Sequence, residues 1–249
     1  MTYSIEATSK TPALIIYLLD CSASMGELLD GKPRIEHVNE AIEKVFTRMV
    51  QRSTKGEVIS PRYRLAVIAY SDQPHDVLGG VKTIQDLMKS GTPQLNTMQF
   101  TDTAAAFIYA RDLLQRELPK LAGHPAPMIC HLTDGEYNGA DPEPIARDIM
   151  NMTTDDGNVL IENIFVSSGL TRQAITDIET WPGISDASDL TSDYAKKLFN
   201  MSSPLPDSYA EMIHKEDYQL KSGARMLIPG ANKDLIELAF AMSGATPTA

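Results

Sequence analysis

Ala13-Leu14-Ile15-Ile16-Tyr17-Leu18-Leu19-Asp20-Cys21-Ser22-Ala23-Ser24-Met25-Gly26 is the stretch whose reading decides the fold. The run from Ala13 to Leu19 is apolar throughout, without the alternation of a half-exposed strand. Such a run predicts a central strand covered on both faces, which in turn requires layers above and below the sheet. It ends on a carboxylate, and Asp20, Ser22 and Ser24 follow at a spacing of two. That is oxygen-only chemistry, suited to a hard divalent cation.

The same alternation continues outward from this stretch. Ile35, Val38, Ile42, Val45, Phe46 and Met49 recur at helical spacing and predict a helix over 35–50. Tyr63 to Tyr70 reads as a second buried strand, and Val77 to Val81, after the turn-forming Asp72-Gln73-Pro74, as a hairpin partner on the sheet edge. Helices are expected over 104–118 and 142–152, and strands over 127–132 and 158–166. Strand and helix in alternation give an α/β, doubly wound, mostly parallel sheet with helices on both faces and one antiparallel edge strand. Ligands of such sheets bind beyond the carboxyl ends of the strands. Asp20 and Asp134 both stand at such ends. Past Gly169 the pattern weakens: a short helix over 171–181 leading to a poor edge strand, a helix over 189–201, then Pro204 and Pro206. The expected organisation is a main domain over 12–202 and a C-terminal extension over 203–249, with two helical segments and frayed final residues.

Composition narrows the function classes. The 249-residue chain carries a net charge of −11. The densest basic clusters are Arg62 with Arg64 and Lys196 with Lys197, too few to hold nucleic acid or an anionic membrane. No apolar run is long enough to cross a bilayer, and Met1 to Pro12 lacks the apolar region of a signal peptide. Two cysteines in segments read as buried make no disulfide framework. A cytoplasmic location is the expectation.

Asp20-x-Ser22-x-Ser24 resembles the first motif of the metal-ion-dependent adhesion site of the von Willebrand factor A domain family. Thr101, in Phe100-Thr101-Asp102-Thr103-Ala104, and Asp134, in Leu132-Thr133-Asp134-Gly135, match the family's second and third loops in the expected order. Ala23 stands where the family often has glycine, and Gln99-Phe100 where glycine usually precedes the threonine. Either Thr101 or Thr103 can be the threonine ligand, and the family pattern favours Thr101. The resemblance implies Mg²⁺, or Mn²⁺ in its place, held by the hydroxyls of Ser22, Ser24 and Thr101, with Asp20 and Asp134 ordering the coordination. It implies a non-catalytic module that binds an exposed Asp or Glu of a protein partner. With Ser203-Pro204-Leu205-Pro206 as its tail, the chain looks similar to bacterial members of the tellurium-resistance (TerY) type. Those accompany phosphatases, kinases or ATPases in signalling or stress-response assemblies.

Each piece has a plainer reading. Ser22 and Ser24 can cap the helix that follows, Thr101 and Thr103 can cap theirs, and Asp134-Gly135 can be a turn. Acidic neighbours Glu27, Asp30, Asp102, Glu136 and Asp141 can be solvated charges. Two enzyme alternatives lack a required partner. A phosphatase-type thiolate at Cys21 needs an arginine where Glu27 stands, and an aspartyl nucleophile at Asp20 needs a second aspartate where Ser22 stands. A metal-dependent hydrolase using the strand-end carboxylates, or a domain of the same fold binding partners without metal, are the remaining alternatives.

Overall fold

The computed structural model describes residues 3–135, 137–167 and 169–244. Among these, β1 (Ala13–Asp20) is the centre of a seven-stranded sheet. β2 (Tyr63–Tyr70) runs parallel to it on one side, in register from Ala13 against Tyr63 to Asp20 against Tyr70. Strands β3 (Pro74–Asp76) and β4 (Lys82–Thr83) pair antiparallel with the outer edge of β2. On the other side of β1 lie β5 (Met128–Thr133), β6 (Leu160–Phe165) and β7 (Leu227–Pro229), all parallel. The chain leaves β1 to one side for β2 and returns to the other for β5. The strand order therefore reverses at β1, which places the binding crevice at the carboxyl ends of β1 and β5.

Two layers cover this sheet because β1 sends alternate side chains to opposite faces. Ala13, Ile15, Tyr17 and Leu19 pack with α1 (Arg34–Ser53), α2 (Ile84–Ser90), α6 (Asp207–His214) and α7 (Lys233–Ser243). Leu14, Ile16 and Leu18 pack with α3 (Thr103–Glu117) and α4 (Glu143–Met150). α5 (Asp193–Asn200) lies beside α4. The doubly wound α/β fold expected from the sequence is the observed one. No helix among the described residues is long and apolar enough to cross a membrane.

Several local expectations are corrected. The edge strand forms over 74–76 rather than 77–81. Asp76 instead accepts the Leu78 and Gly80 amides, at 3.1 and 2.7 Å, and rolls 77–81 into a loop. Residues 171–181 form no regular element; the segment is held by the isolated bridge of Thr171 with Leu190, by the Gln219 amide donating to the Glu179 carbonyl at 2.8 Å, and by Ile175, Ile178 and Trp181 against the core. α2 goes unread in the sequence because seven residues show little periodicity, although Thr83 and Asp86 make a reciprocal capping box. Within 203–244 the two helices are joined by β7, which extends the sheet beyond β6. The frayed end expected over 244–249 lies outside the described residues apart from Gly244.

One buried group is not stabilised by its surroundings. Glu162 on β6 is fully buried, and neither carboxylate oxygen has an N–H or O–H partner among the described residues; the weakly donating Cys130 thiol faces it. Burial pushes its carboxyl well above the ordinary range, so the folded chain holds a proton there that the unfolded chain releases. Stability tied to that proton is lost as pH rises. Glu162→Gln is therefore expected to be more stable than wild type at pH 8. The gap should close by about 1.4 kcal/mol per pH unit on acidification, measured by urea unfolding. A gap independent of pH would refute the assignment.

Candidate metal centre

The register of β1 against β5 builds the floor of the site. Leu19 stands opposite Leu132, so Asp20 and Thr133 emerge side by side at the strand ends. The Thr133 hydroxyl donates to Asp20 Oδ2 at 2.7 Å, and the Ser22 amide donates to Asp20 Oδ1 at 2.8 Å. Asp20 has no exposed surface, and burial raises its carboxyl to about 6 despite these donors. Thr133 is a contributor the sequence reading quoted without a role. Only the strand register reveals it.

The first loop turns through a short 3₁₀ helix over Ala23–Gly26. Ser22 sits at its N-cap, yet its hydroxyl makes no capping bond. It lies 3.0 Å from the Ser24 hydroxyl, which donates to Asp134 Oδ1 at 2.7 Å. Plain helix capping therefore does not account for either serine. Cys21, between Asp20 and Ser22, is buried, and burial first, then the Asp20 charge, pushes its thiol up to about 12. It is a neutral thiol at pH 7, the reverse of an activated nucleophile.

The second loop separates the roles of its two threonines. Asp102 is the N-cap of α3, its side chain accepting the Ala105 amide at 2.9 Å. Thr103, the first helical residue, is fully buried beside the Tyr70 phenol. Thr101 stays in the loop, 7% exposed, with its carbonyl accepting the Asn138 amide from the third loop at 2.8 Å. The Met98 amide reaches the Cys21 carbonyl at 2.5 Å. The three loops are thus joined by backbone hydrogen bonds, and Ser22, Ser24 and Asp134 meet through side chains. Thr101 is tied to them through its loop.

One participant carried no sequence signal. Arg34, the first residue of α1, places Nη1 2.8 Å from Asp134 Oδ2, 2.9 Å from Glu27 Oε2 and 3.2 Å from the Ser24 carbonyl. It stands a hundred residues from Asp134 in sequence, so no local pattern betrays it. Glu136, named among the acidic neighbours, lies outside the described residues. Asp141 pairs with Lys197 at 2.5 Å, and this ion pair lowers its carboxyl.

The donor set fits a hard divalent cation. Two carboxylates with little or no exposure and adjacent hydroxyls offer oxygen alone, and the Asp20 carboxyl is raised by burial first and by the neighbouring Asp134 charge last. Among the described residues no cluster of three or more His, Cys, Asp or Glu forms a metal site. The ligands would have to be hydroxyls as much as carboxylates.

Comparison with known proteins agrees with this reading of the fold. Residues 15–136 match the family model described as the von Willebrand factor type A domain, which supports a domain of this type in the chain. No curated protein matches the sequence. Proximal thread matrix protein 1 from the mussel byssus superposes with a TM-score of 0.54 at 12% identity, over 96% of this chain and 48% of that one. A structure of the same mussel protein with a zinc-occupied adhesion-site motif gives 0.54 at 14% identity, over 94% and 47%. The pilus adhesin SpaC from Lactobacillus rhamnosus GG gives 0.58 at 9% identity, over 94% and 30%. This chain thus spans about half the length of the mussel protein. At such identities the likeness is one of fold.

Beneath the site a buried chain of hydrogen bonds crosses the sheet, and its direction is fixed from one end. The Ser202 hydroxyl donates to the Leu198 carbonyl, so Asn163 Nδ2 must donate to Ser202. Asn163 Oδ1 then accepts from His131 Nδ1, 2.7 Å away, and His131 Nε2 accepts from the Tyr70 hydroxyl at 2.7 Å. Burial lowers the His131 imidazole from 6.5 to about 4, which keeps it neutral. A neutral histidine whose pKa is depressed contributes stability above the unfolded value, and that stability is lost as pH falls. Between pH 6.5 and 4 the wild type is expected to lose about 3 kcal/mol more than His131→Gln. Parallel pH slopes in chemical unfolding would show that folding does not lower the His131 pKa and would refute the assignment.

Proposed function

We propose that this protein is a non-catalytic, metal-dependent binding module that grips an exposed Asp or Glu of a protein partner. Mg²⁺, or Mn²⁺, would be held by Ser22, Ser24 and Thr101, with Asp20 and Asp134 orienting the coordination. Bound there, the ion supplies an electrophilic position for an incoming carboxylate. The hydroxyls are neutral and leave its charge largely unquenched. Asp20 is fixed by the Ser22 amide and Thr133, and Asp134 by Ser24 and Arg34, so these carboxylates need not reorganise on binding.

The observation that carries the proteinaceous partner is the apolar rim. Leu28, Met98 and Phe100 are 67%, 40% and 61% exposed. Met98 and Phe100 precede Thr101 in its loop, and Leu28 opens the short strand Leu28–Leu29 that follows the Ser24 turn. Large apolar side chains exposed around a polar centre mark a protein contact. The buried, neutral Cys21 thiol offers no nucleophile, which supports binding over turnover. The placement within a cytoplasmic signalling or stress-response assembly of the tellurium-resistance type, beside a phosphatase, kinase or ATPase, rests on the sequence resemblance.

The Arg34–Asp134 ion pair favours a second reading, in which the site is internally compensated and the partner is bound without metal. Chelation separates the two. Under the metal-dependent reading, partner capture is abolished by EDTA and restored by Mg²⁺. Ser22→Ala/Ser24→Ala should lose at least about tenfold in calorimetric Mn²⁺ affinity while keeping the wild-type circular dichroism. Phe100→Ala should keep its Mn²⁺ affinity and lose roughly tenfold in partner affinity. Capture that persists in EDTA and in the double serine variant would overturn the metal-dependent reading.

A further inference from the structure

Arg34 is the cation already installed at the site. Its guanidinium spans Asp134, Glu27 and the Ser24 carbonyl, and its side chain is 17% exposed against none for the Asp134 side chain. Its backbone amide also donates to the Glu27 carbonyl at 2.9 Å. α1 thus begins with the guanidinium held against the first and third loops. Glu27 is 65% exposed and screened by water, so Asp134 is the carboxylate that feels this charge most. Asp134 is shared: Oδ1 faces the Ser24 hydroxyl and Oδ2 faces Arg34.

We propose that Arg34 is a specificity-determining residue of the site, a fixed cation that competes with the divalent ion for Asp134. It thereby makes ion binding weak, and it leaves the loaded site with net positive charge for an anionic ligand. This rests on the metal-dependent reading above. Asp20 and Asp134 together neutralise one divalent ion. Arg34 beside them adds one positive charge, which Glu27 offsets only in part because its carboxylate is 65% exposed and screened by water. A neutral residue at position 34 would give the ion both carboxylates in full and leave nothing over. The arrangement trades affinity for the ion against attraction for the ligand, because in a poorly solvated site each charge is felt more strongly than in water.

The test is calorimetric titration with Mn²⁺ alone on the full chain. Arg34→Gln removes the charge while keeping a polar side chain, and Arg34→Lys keeps the charge without the guanidinium geometry. Arg34→Gln is expected to bind Mn²⁺ about tenfold more tightly than wild type, whereas Arg34→Lys stays nearer to wild type than Arg34→Gln does. Equal affinity in wild type and Arg34→Gln, with ion bound by both, overturns this inference and leaves the metal site standing. Ion binding by neither chain overturns the metal site and this inference with it. If Arg34→Gln fails to fold, Glu27→Gln takes its place, since Glu27 is exposed. With its other carboxylate gone, Arg34 rests on Asp134 alone and Mn²⁺ binding weakens severalfold. Unchanged or tighter binding in Glu27→Gln overturns the inference.

Discussion

The structure turns on the cost of burying the Asp20 carboxylate at the end of its central strand. Asp20 has no exposed surface, and burial holds its carboxyl near 6 even with two hydrogen bonds. A carboxylate in such a place needs donors on fixed backbone, and the sheet provides them. The β1–β5 register sets Thr133 beside Asp20, and the turn after β1 aims the Ser22 amide back at it. A one-residue slip of β5 would send Thr133 to the opposite face and place Leu132 or Asp134 there instead. The floor of the site and the pairing of the sheet are therefore one constraint. What the donors leave uncompensated is the negative charge that a cation would meet.

How much of this the sequence discloses depends on the reach of each signal. Strands and helices with their own periodicity were legible: Ala13–Asp20, Tyr63–Tyr70 and the helix over 34–53 lie within a few residues of where their apolar pattern places them. Short elements were not. β7 has three residues and is a strand only because β6 offers it a free edge. Asp76 steers the edge hairpin by accepting two amides after β3, a bond pattern invisible to hydropathy. Within the site, Asp20, Ser22, Ser24 and Asp134 could be named because each closes or follows a recognisable strand. Arg34 could not, since its partner is fixed by the juxtaposition of two loops. Thr133 was in view beside Asp134, but its side chain acquires meaning only through the register.

The hydrogen-bond chain below the site explains why the polar residues of the sheet interior are tolerated. Tyr70, His131, Asn163 and Ser202 are buried among apolar side chains, where an unpaired polar atom would be costly. Each donates to the next, ending on a helix carbonyl, so donor and acceptor capacity is matched along the line. Because a buried imidazole has one donor and one acceptor when neutral, the chain works only in that protonation state. It ties β2, β5, β6 and the end of α5 together one level below Asp20, whose own neighbour on β2 is Tyr70. Glu162, one residue before Asn163, faces the other layer without such partners. The same strand thus carries one satisfied polar group and one unsatisfied, and the difference lies in which face each meets.

The electrostatics of the whole chain bear on how such a site meets a partner. With a net charge of −11, an acidic ligand approaches against the prevailing field. Long-range attraction would have to come from the site itself. At ordinary ionic strength that attraction reaches only about 8 Å, so it acts once the partner is almost in contact. The apolar side chains of Leu28, Met98 and Phe100 work over the same short distance. Under the proposed function, recognition built this way would be slow to begin and would depend on close fit at the loops, because neither component draws a partner from afar. On the proposed reading it would also discriminate against acidic surfaces that lack an apolar neighbour for these side chains. Those meet the repulsion of the chain without gaining contact area, whereas a carboxylate flanked by apolar side chains gains from both the centre and its surround.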